Sequence, residues 1–364
     1  VKIARIEPIL IRVPYRHGGP HPRIGGRAWT TMDTLLLRVE TDHGVVGWGE
    51  AFGYNAIPAT RTALESAIVP LCLGRPVQPI EALMEELQRK LHNFGRGGPP
   101  IFALSGIEIA LWDIAGQVAG VPLHRLLGEG GRERVPAYAS LLRYGDAALV
   151  ARNAAEAVAR GYRHVKLHEI GEEEIAAGRE AVGEEIALMV DANCPWPAAE
   201  AAARARRLAR LDLHWLEEPV WPPEDYAGLA RVARESGVPV AAGENANTPA
   251  DFVAMLEAGA VSYAQPSVTK IGGLSGLKSV AAIAEARGVA LAPHSPYFGP
   301  GLLATIHFIA ASRGAMICER FYCDLEASPF GAAVDAVDGS MAVPQAPGLG
   351  VPVDETAIAR YRAD

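Results

Sequence analysis

Polar residues close a series of short apolar runs between Lys166 and Glu319, and this beat constrains the fold more than any other feature of the chain. The runs read VKLHEIG (Lys166, His168), LMVDAN (Asp191), HWLEEP (Glu217), VAAGEN (Glu244), YAQPS (Ser267), LAPHS (His294) and MICER (Glu319). Three successive acidic tips, Asp191, Glu217 and Glu244, fall 26 and 27 residues apart. So regular a spacing needs a repeating structural unit. The runs 135–140, 163–168, 187–191, 213–217, 238–243, 261–265, 289–293 and 315–319 supply its strands. Ala- and Arg-rich stretches of helical period lie between them, such as 146–160, 197–210, 225–236, 275–287 and 300–312. Strand–helix alternation argues for parallel βαβ units, and eight such units close a (β/α)8 barrel. Roughly 190 residues is short against the ~250 typical of that fold, so helices and loops must be compact.

The chain before this series has a different pattern. Residues 3–13 alternate like an edge strand, and 33–50 read as two strands around a turn at 41–44. Helical periodicity comes next, at 59–69 and 80–93. Residues 101–120 are apolar almost all round, which predicts a buried helix in which Gly106 and Gly116 permit close approach of a neighbour. Residues 1–125 therefore form a small α+β domain, 126–320 the barrel, and 321–364 a Pro-containing segment expected to run back onto the first domain. The segment RHGGPHPRIGGRAW (16–29) has two readings. It is either a mobile surface loop or a flap whose Arg16, His17, His21, Arg23 and Arg27 meet an anionic or hydroxylated ligand.

Composition excludes several classes of function. The net charge is −8, with no basic tail, so nucleic acid is not an expected partner. There is no apolar run of 18 or more residues, hence no expected membrane span. The charged, alternating N-terminus reads as a strand rather than a signal peptide. Four cysteines in 364 residues, none in a CxxC pair, read as reduced thiols in a cytoplasmic protein.

In a (β/α)8 barrel, functional groups gather at the C-terminal ends of the strands. Asp191, Glu217 and Glu244 would end the third, fourth and fifth strands. Three converging carboxylates repel without a cation, and an all-oxygen set favours a hard ion such as Mg2+. Three separate solvated acids are the alternative that spacing alone leaves open. Glu217 is preferred to Glu218 because the run HWL leads straight into it, so that Glu218 points away. Lys166 and His168 lie two apart, on one face of the second strand. A protonated Lys166 would keep His168 a neutral base and could offset a bound carboxylate. Lys270 and His294 lie across the barrel, so proton-transfer groups flank one substrate carbon from both sides. Glu319 would either donate to a substrate oxygen or orient Lys166. A metal and a cation can together stabilise the enediolate left when a proton α to a carboxylate departs.

The chain resembles the enolase superfamily, within the mandelate racemase and muconate lactonizing group. The resemblance rests on GWGE (47–50), ALSGIEIALWDIAG (103–116), VKLH (165–168), DAN (191–193), WLEEP (215–219), GEN (243–245), KIGG (270–273), PHSPYFGPG (293–301) and CER (318–320). It implies an α+β capping domain over a modified (β/α)8 barrel, Mg2+ on Asp191, Glu217 and Glu244, and homo-oligomers. It implies catalytic roles for Lys166, His168, Lys270 and His294, and substrate contacts from Asn193 and Glu319. Two departures stand out. His168 replaces the usual second lysine of the KxK motif, and Ser267 stands where an Asp partner for His294 is usual.

The expected function is Mg2+-dependent dehydration of a small hydroxy-carboxylate, an acid sugar or relative, with His168 as base and His294 or Lys270 as acid. A racemase, epimerase or cycloisomerase of a carboxylate is the alternative. A non-catalytic metal-binding scaffold is the reading from a different class.

Overall fold

The computed structural model describes residues 1–363. Its N-terminal part is an antiparallel sheet of Ile3–Arg16, Thr31–Thr41 and Val46–Ala51, registered Ile9 to Leu36 and Leu36 to Glu50. The helix Pro99–Ala119 packs across this sheet with Ile101 to Gly116 almost wholly buried. Glycine makes the contact possible. A Cβ on Gly49 would fall 1.9 Å from the Gly106 carbonyl oxygen, and one on Gly106 would meet Leu37 at 2.7 Å. Gly116 is needed for a different contact, against the backbone of Gly348 at 2.6 Å. This helix is long and apolar enough to span a membrane by length and composition, which the reading of uninterrupted apolar runs does not register. Its surface is instead the core of the capping domain.

The barrel strands, in order, are Arg134–Leu141, His164–Leu167, Ala187–Asp191, Leu213–Glu217, Val240–Ala242, Tyr263–Ala264, Ala290–Leu291 and Cys318–Phe321. From the first to the seventh each pairs in parallel with the next, and the eighth pairs with the first. The fold is thus the modified (β/α)8 barrel with an α+β cap that the sequence implies. Tyr138, Met189, Trp215, Ala241 and Ala292 fill its interior. The surrounding helices are short and amphipathic. Ala198–Leu208, for example, buries Ala201, Ala202, Ala205 and Leu208 along one stripe.

Three departures from the expected strands have physical causes. The fifth to seventh strands are only two or three residues long. Their expected flanks continue through single hydrogen bonds, such as Gln265 N–H to Ala242 O and His294 N–H to Pro266 O. The eighth strand lies further along the chain than 315–319, so Glu319 sits mid-strand and points inward rather than ending it. Among the described residues no strand ladder joins the seventh strand to the eighth. Ser295 closes that seam, its N–H donating to Glu319 Oε2 at 3.0 Å and its hydroxyl to the Glu319 carbonyl at 3.3 Å.

After the eighth strand the chain pairs Asp324–Leu325 with Tyr15 and Arg16, and Ser340–Ala342 with the start of the first barrel strand. Near its end the Ala363 N–H donates to the Leu10 carbonyl.

Candidate active site

Asp191 and Glu217 end the third and fourth strands, and Glu244 comes just after the fifth. One oxygen from each lies within 4.8 Å of the others. Oxygens around an octahedral ion with ~2.1 Å bonds lie roughly 2.9–4.1 Å apart. The trio needs only a small contraction to hold such an ion, and its all-carboxylate chemistry suits Mg2+. Glu218 turns away, as expected. It accepts from Cys194 Sγ and Asn245 Nδ2 at 2.8 Å, and burial together with Glu244 pushes its carboxyl up to about 7. It therefore acts as a prop behind Glu244 and Asn193.

Lys166 lies deeper than its reading as a strand tip implies. Its Nζ is 2.8 Å from Glu217 Oε1, 2.8 Å from Glu319 Oε1 and 3.4 Å from Asp191 Oδ2, with no solvent access. Burial alone would lower its pKa, but these carboxylates raise it well above the ordinary lysine value. Lys166 thus compensates charge beneath the trio. Of the expected readings of Glu319, the orienting one fits the geometry. It accepts from Lys166, Ser140 Oγ and Ser295 N–H, and despite burial Lys166 and His294 hold its pKa down. Neither Lys166 nor Glu319 lines the cavity above.

His168 does face the cavity. Its Nδ1 sits 2.5 Å from the Leu141 carbonyl, which can only accept, so Nδ1 carries hydrogen. Nε2 lies 3.2 Å from Asp191 Oδ2, which can also only accept, so Nε2 becomes free to take a proton once that contact is given up. Burial would raise the pKa of Asp191, but Lys166 and His168 hold it well below the usual carboxylate range.

Opposite, His294 Nε2 lies 2.7 Å from Glu244 Oε2. Its Nδ1 faces the Ser267 hydroxyl at 3.3 Å, and that hydroxyl is bonded in turn to Tyr297. A neutral Ser–Tyr pair therefore stands where the family usually has an Asp. Burial works against the Glu244 carboxylate, yet His294 and Lys270 bring its pKa down to about 2. Lys270 itself donates to the Glu244 carbonyl at 3.0 Å and lies over the Phe52 ring, outside the cavity lining.

The cavity is about 650 Å3. His168, Asn193, Glu244 and His294 form its floor, and Trp29, Tyr54 and Phe321 an aromatic wall. His21 and Arg23 of the 16–29 segment are among its lining. Arg16, His17 and Arg27 do not line it. Arg16 pairs with Asp324 in the sheet, Arg27 pairs with Ile24 in a short hairpin, and His17 is buried in a stack on Tyr144 at 5.2 Å.

Arg143 was not among the expected site residues. It sits just past the first strand, lines the cavity, and donates from Nε to the His168 carbonyl at 2.5 Å. Its Nη2 approaches Ala192 O and Asn193 Oδ1 at 3.4 Å. The signal was its place at a strand end, in LLRYG.

Carboxylates suited to a hard cation and two histidines lining one cavity, at the mouth of a capped barrel, are the setting for metal-assisted proton transfer. Comparison narrows the class. Residues 15–128 match the N-terminal domain of the mandelate racemase / muconate lactonizing enzyme family, and residues 149–357 match the enolase C-terminal domain-like family. The chain belongs to the mandelate racemase and muconate lactonizing group of the enolase superfamily. It is 33% identical to a 3,6-anhydro-alpha-L-galactonate cycloisomerase of Streptomyces coelicolor, over 98% of this chain and 99% of that one. It is 32% identical to an arabinonate dehydratase of Saccharolobus solfataricus, over 93% of each. A Streptomyces coelicolor racemase solved with bound magnesium superposes with a TM-score of 0.86 at 32% identity, covering 99% of this chain and 100% of that one.

Proposed function

We propose that this enzyme removes the proton α to the carboxylate of an acid sugar and expels the β-oxygen, giving a 2-keto-3-deoxy acid. The observation that carries this is the placement of His168 and His294 on opposite sides of the cavity floor, each with Nε2 beside a different carboxylate of the trio.

Asp191, Glu217 and Glu244 would hold Mg2+, which supplies positive charge to the substrate carboxylate as the α-proton leaves, a chemistry for which this superfamily is itself a standard example. His168 Nε2 takes the α-proton, its ring fixed by the Leu141 carbonyl. His294 Nε2 delivers a proton to the departing oxygen as the Cβ–O bond breaks. Lys270 holds the Glu244 loop, and its distance from the cavity favours His294 as the acid. Lys166 keeps the trio's negative charge tolerable inside the barrel. Asn193, steadied by Arg143, meets the substrate, and Trp29 and Tyr54 exclude water from above.

Cycloisomerisation is a second reading, favoured by the Streptomyces relative. It uses the same step, because a β-oxygen tethered to the substrate opens a ring instead of leaving as water. Racemisation differs, because His294 would then return a proton to the α-carbon itself. Incubating candidate acid sugars in D2O, with NMR and mass measurement of the products, separates the three. Dehydration yields a keto acid lighter by one water, ring opening yields a keto acid of unchanged formula, and racemisation yields deuterium at Cα with no keto acid. Absence of both product and exchange across aldonates and anhydro-aldonates refutes the proposal.

The same reading takes 1–125 as cap, 126–320 as barrel and 321–364 as the segment returning to the cap. It places the enzyme in the cytoplasm as a homo-oligomer. Four free cysteines support the reducing compartment, and light scattering of the purified chain tests the oligomer.

A further inference from the structure

Two barrel helices have glycine at the N-cap and take no side-chain cap from their own segment. Gly273–Glu285 comes after the sixth-strand loop that carries Lys270, and Pro300–Ala311 after the seventh-strand loop that carries His294. Neither N-cap residue, Gly272 or Gly299, makes a side-chain capping bond. An uncapped helix start leaves backbone N–H groups without partners and a partial positive charge.

The capping domain supplies what is missing. Glu108, on the helix Pro99–Ala119, accepts from Leu274 N–H at 2.7 Å and from Ser275 N–H at 3.0 Å. Its neighbour one turn earlier, Ser105, accepts from Gly272 N–H at 2.8 Å. Glu50, at the end of the cap's third strand, accepts from Gly301 N–H at 2.9 Å. All three side chains are buried, Glu108 and Ser105 completely. The approach requires glycine at Gly273 and leaves little room at Gly299 and Gly301. A Cβ on Gly273 would meet Glu108 Oε2 at 2.1 Å, and one on Gly299 or Gly301 would meet Glu50 Oε2 at 3.1 Å. The anchored turns lead directly to Lys270, which holds the Glu244 loop, and to the partner of His294. Lys270 lies two residues before Gly272. Tyr297, which holds Ser267 and through it His294, packs against Gly301. His168, on the second strand, has no such link to the cap's carboxylates.

We infer that Glu50 and Glu108 are positioning residues: through these two helix starts the capping domain sets the sixth- and seventh-strand side of the active site, and leaves the second-strand base to the barrel. The inference rests on the proposed function, in which His168 acts first and His294 second.

The test compares two rates in Glu50→Gln and Glu108→Gln. One is α-deuterium exchange in D2O, which needs His168. The other is keto-acid formation, which also needs the opposite wall. Candidate acid sugars serve as probes, starting with arabinonate and 3,6-anhydro-galactonate. The expected result is keto-acid formation reduced about 50-fold or more, with exchange within about threefold of wild type. Equal loss of both rates in folded protein, or loss of neither, overturns the inference. Ser105→Ala removes only the Gly272 contact and is expected to shift the same ratio in the same direction by a smaller factor. It decides the matter if a glutamate variant fails to fold. A wild type that neither exchanges nor forms product refutes the proposed function instead. Selective 15N-histidine spectra then test the positioning directly, with His294 signals displaced in Glu50→Gln and His168 signals unmoved. Displacement of both, or of neither, overturns it.

Discussion

Replacing Lys166 with Met removes the ammonium that stands among three carboxylates while keeping most of the side chain's volume. Nζ lies 2.8 Å from Glu217 and Glu319 and 3.4 Å from Asp191, and none of these side chains is more than 1% exposed. Water cannot reach in to replace the lost charge. Breaking a buried pair by removing one partner costs about 3–5 kcal/mol. An unfolding entropy near 2.1 cal/mol/K per residue gives roughly 0.8 kcal/mol/K for a chain of this length, so the loss is about 4–7 °C in Tm. Mg2+ should act against this loss. With the ammonium gone, the trio carries one more uncompensated negative charge, so the ion binds the variant more tightly than it binds the wild type. At saturation each tenfold gain in affinity adds about 1.4 kcal/mol by linkage, or roughly 2 °C. The assay is thermal unfolding of both proteins in chelator and in excess Mg2+. The gap between them should be wide in chelator and narrower with Mg2+. A variant as stable as wild type in chelator would refute the charge-compensation role, and so would a gap that Mg2+ leaves unchanged.

His168→Gln should lower α-deuterium exchange about 10²–10⁴-fold, the usual contribution of a positioned base, with Tm little changed because the ring is partly exposed at the cavity floor. Measurable exchange at the wild-type rate would remove His168 from the mechanism. Arg143→Met should lower kcat by up to about 10²-fold through misplacement of His168 and Asn193, with a smaller effect on KM. A change in KM alone would show that Arg143 only binds substrate. Glu108 also makes stability depend on pH. Burial pushes its carboxyl from 4.5 up to about 7, against the bonds from Ser275, Trp112 and Leu274. The folded state then holds the proton that the unfolded chain has lost, so stability falls as pH rises from about 4.5 to about 7 and levels off above, by about 3 kcal/mol. Denaturant titrations of Glu108→Gln should show a flatter profile across that window, and an unchanged profile would place the titration elsewhere.

How much of this site the sequence discloses depends on the kind of relation involved. The trio is legible because a strand–helix unit repeats at near-constant length, so equal spacing in sequence becomes adjacency in space. Depth along a strand is less legible. Lys166 and Glu319 belong to the same series of polar tips, yet both sit below the cavity, because the register between neighbouring strands decides which layer a residue joins. Cys318–Phe321 pairs with Ala137–Ser140, and that register sets Glu319 opposite Tyr138, within reach of the Ser140 hydroxyl, rather than at the rim. Arg143 is hidden for another reason. It recognises backbone carbonyls, which carry no residue identity, on strands that the chain reaches only later. The contacts of Glu50 and Glu108 are equally invisible, since a helix start capped from another domain looks in sequence like a bare glycine.

At Ser267 the loss of a residue can be read from sequence but its replacement cannot. The sequence reveals that no Asp backs His294; only the fold brings in Tyr297 to complete a neutral pair. With no anion behind it, His294 finds its negative partner in front, in Glu244. His168 is held in a parallel way, with a neutral carbonyl behind it and Asp191 in front. Both histidines are therefore in contact through Nε2 with oxygens of the carboxylate trio. A cation that draws those oxygens together competes with the two contacts at once. Metal affinity and the freedom of both histidines to face a substrate are thus coupled, and a change at any one of the five side chains should be felt at the other four.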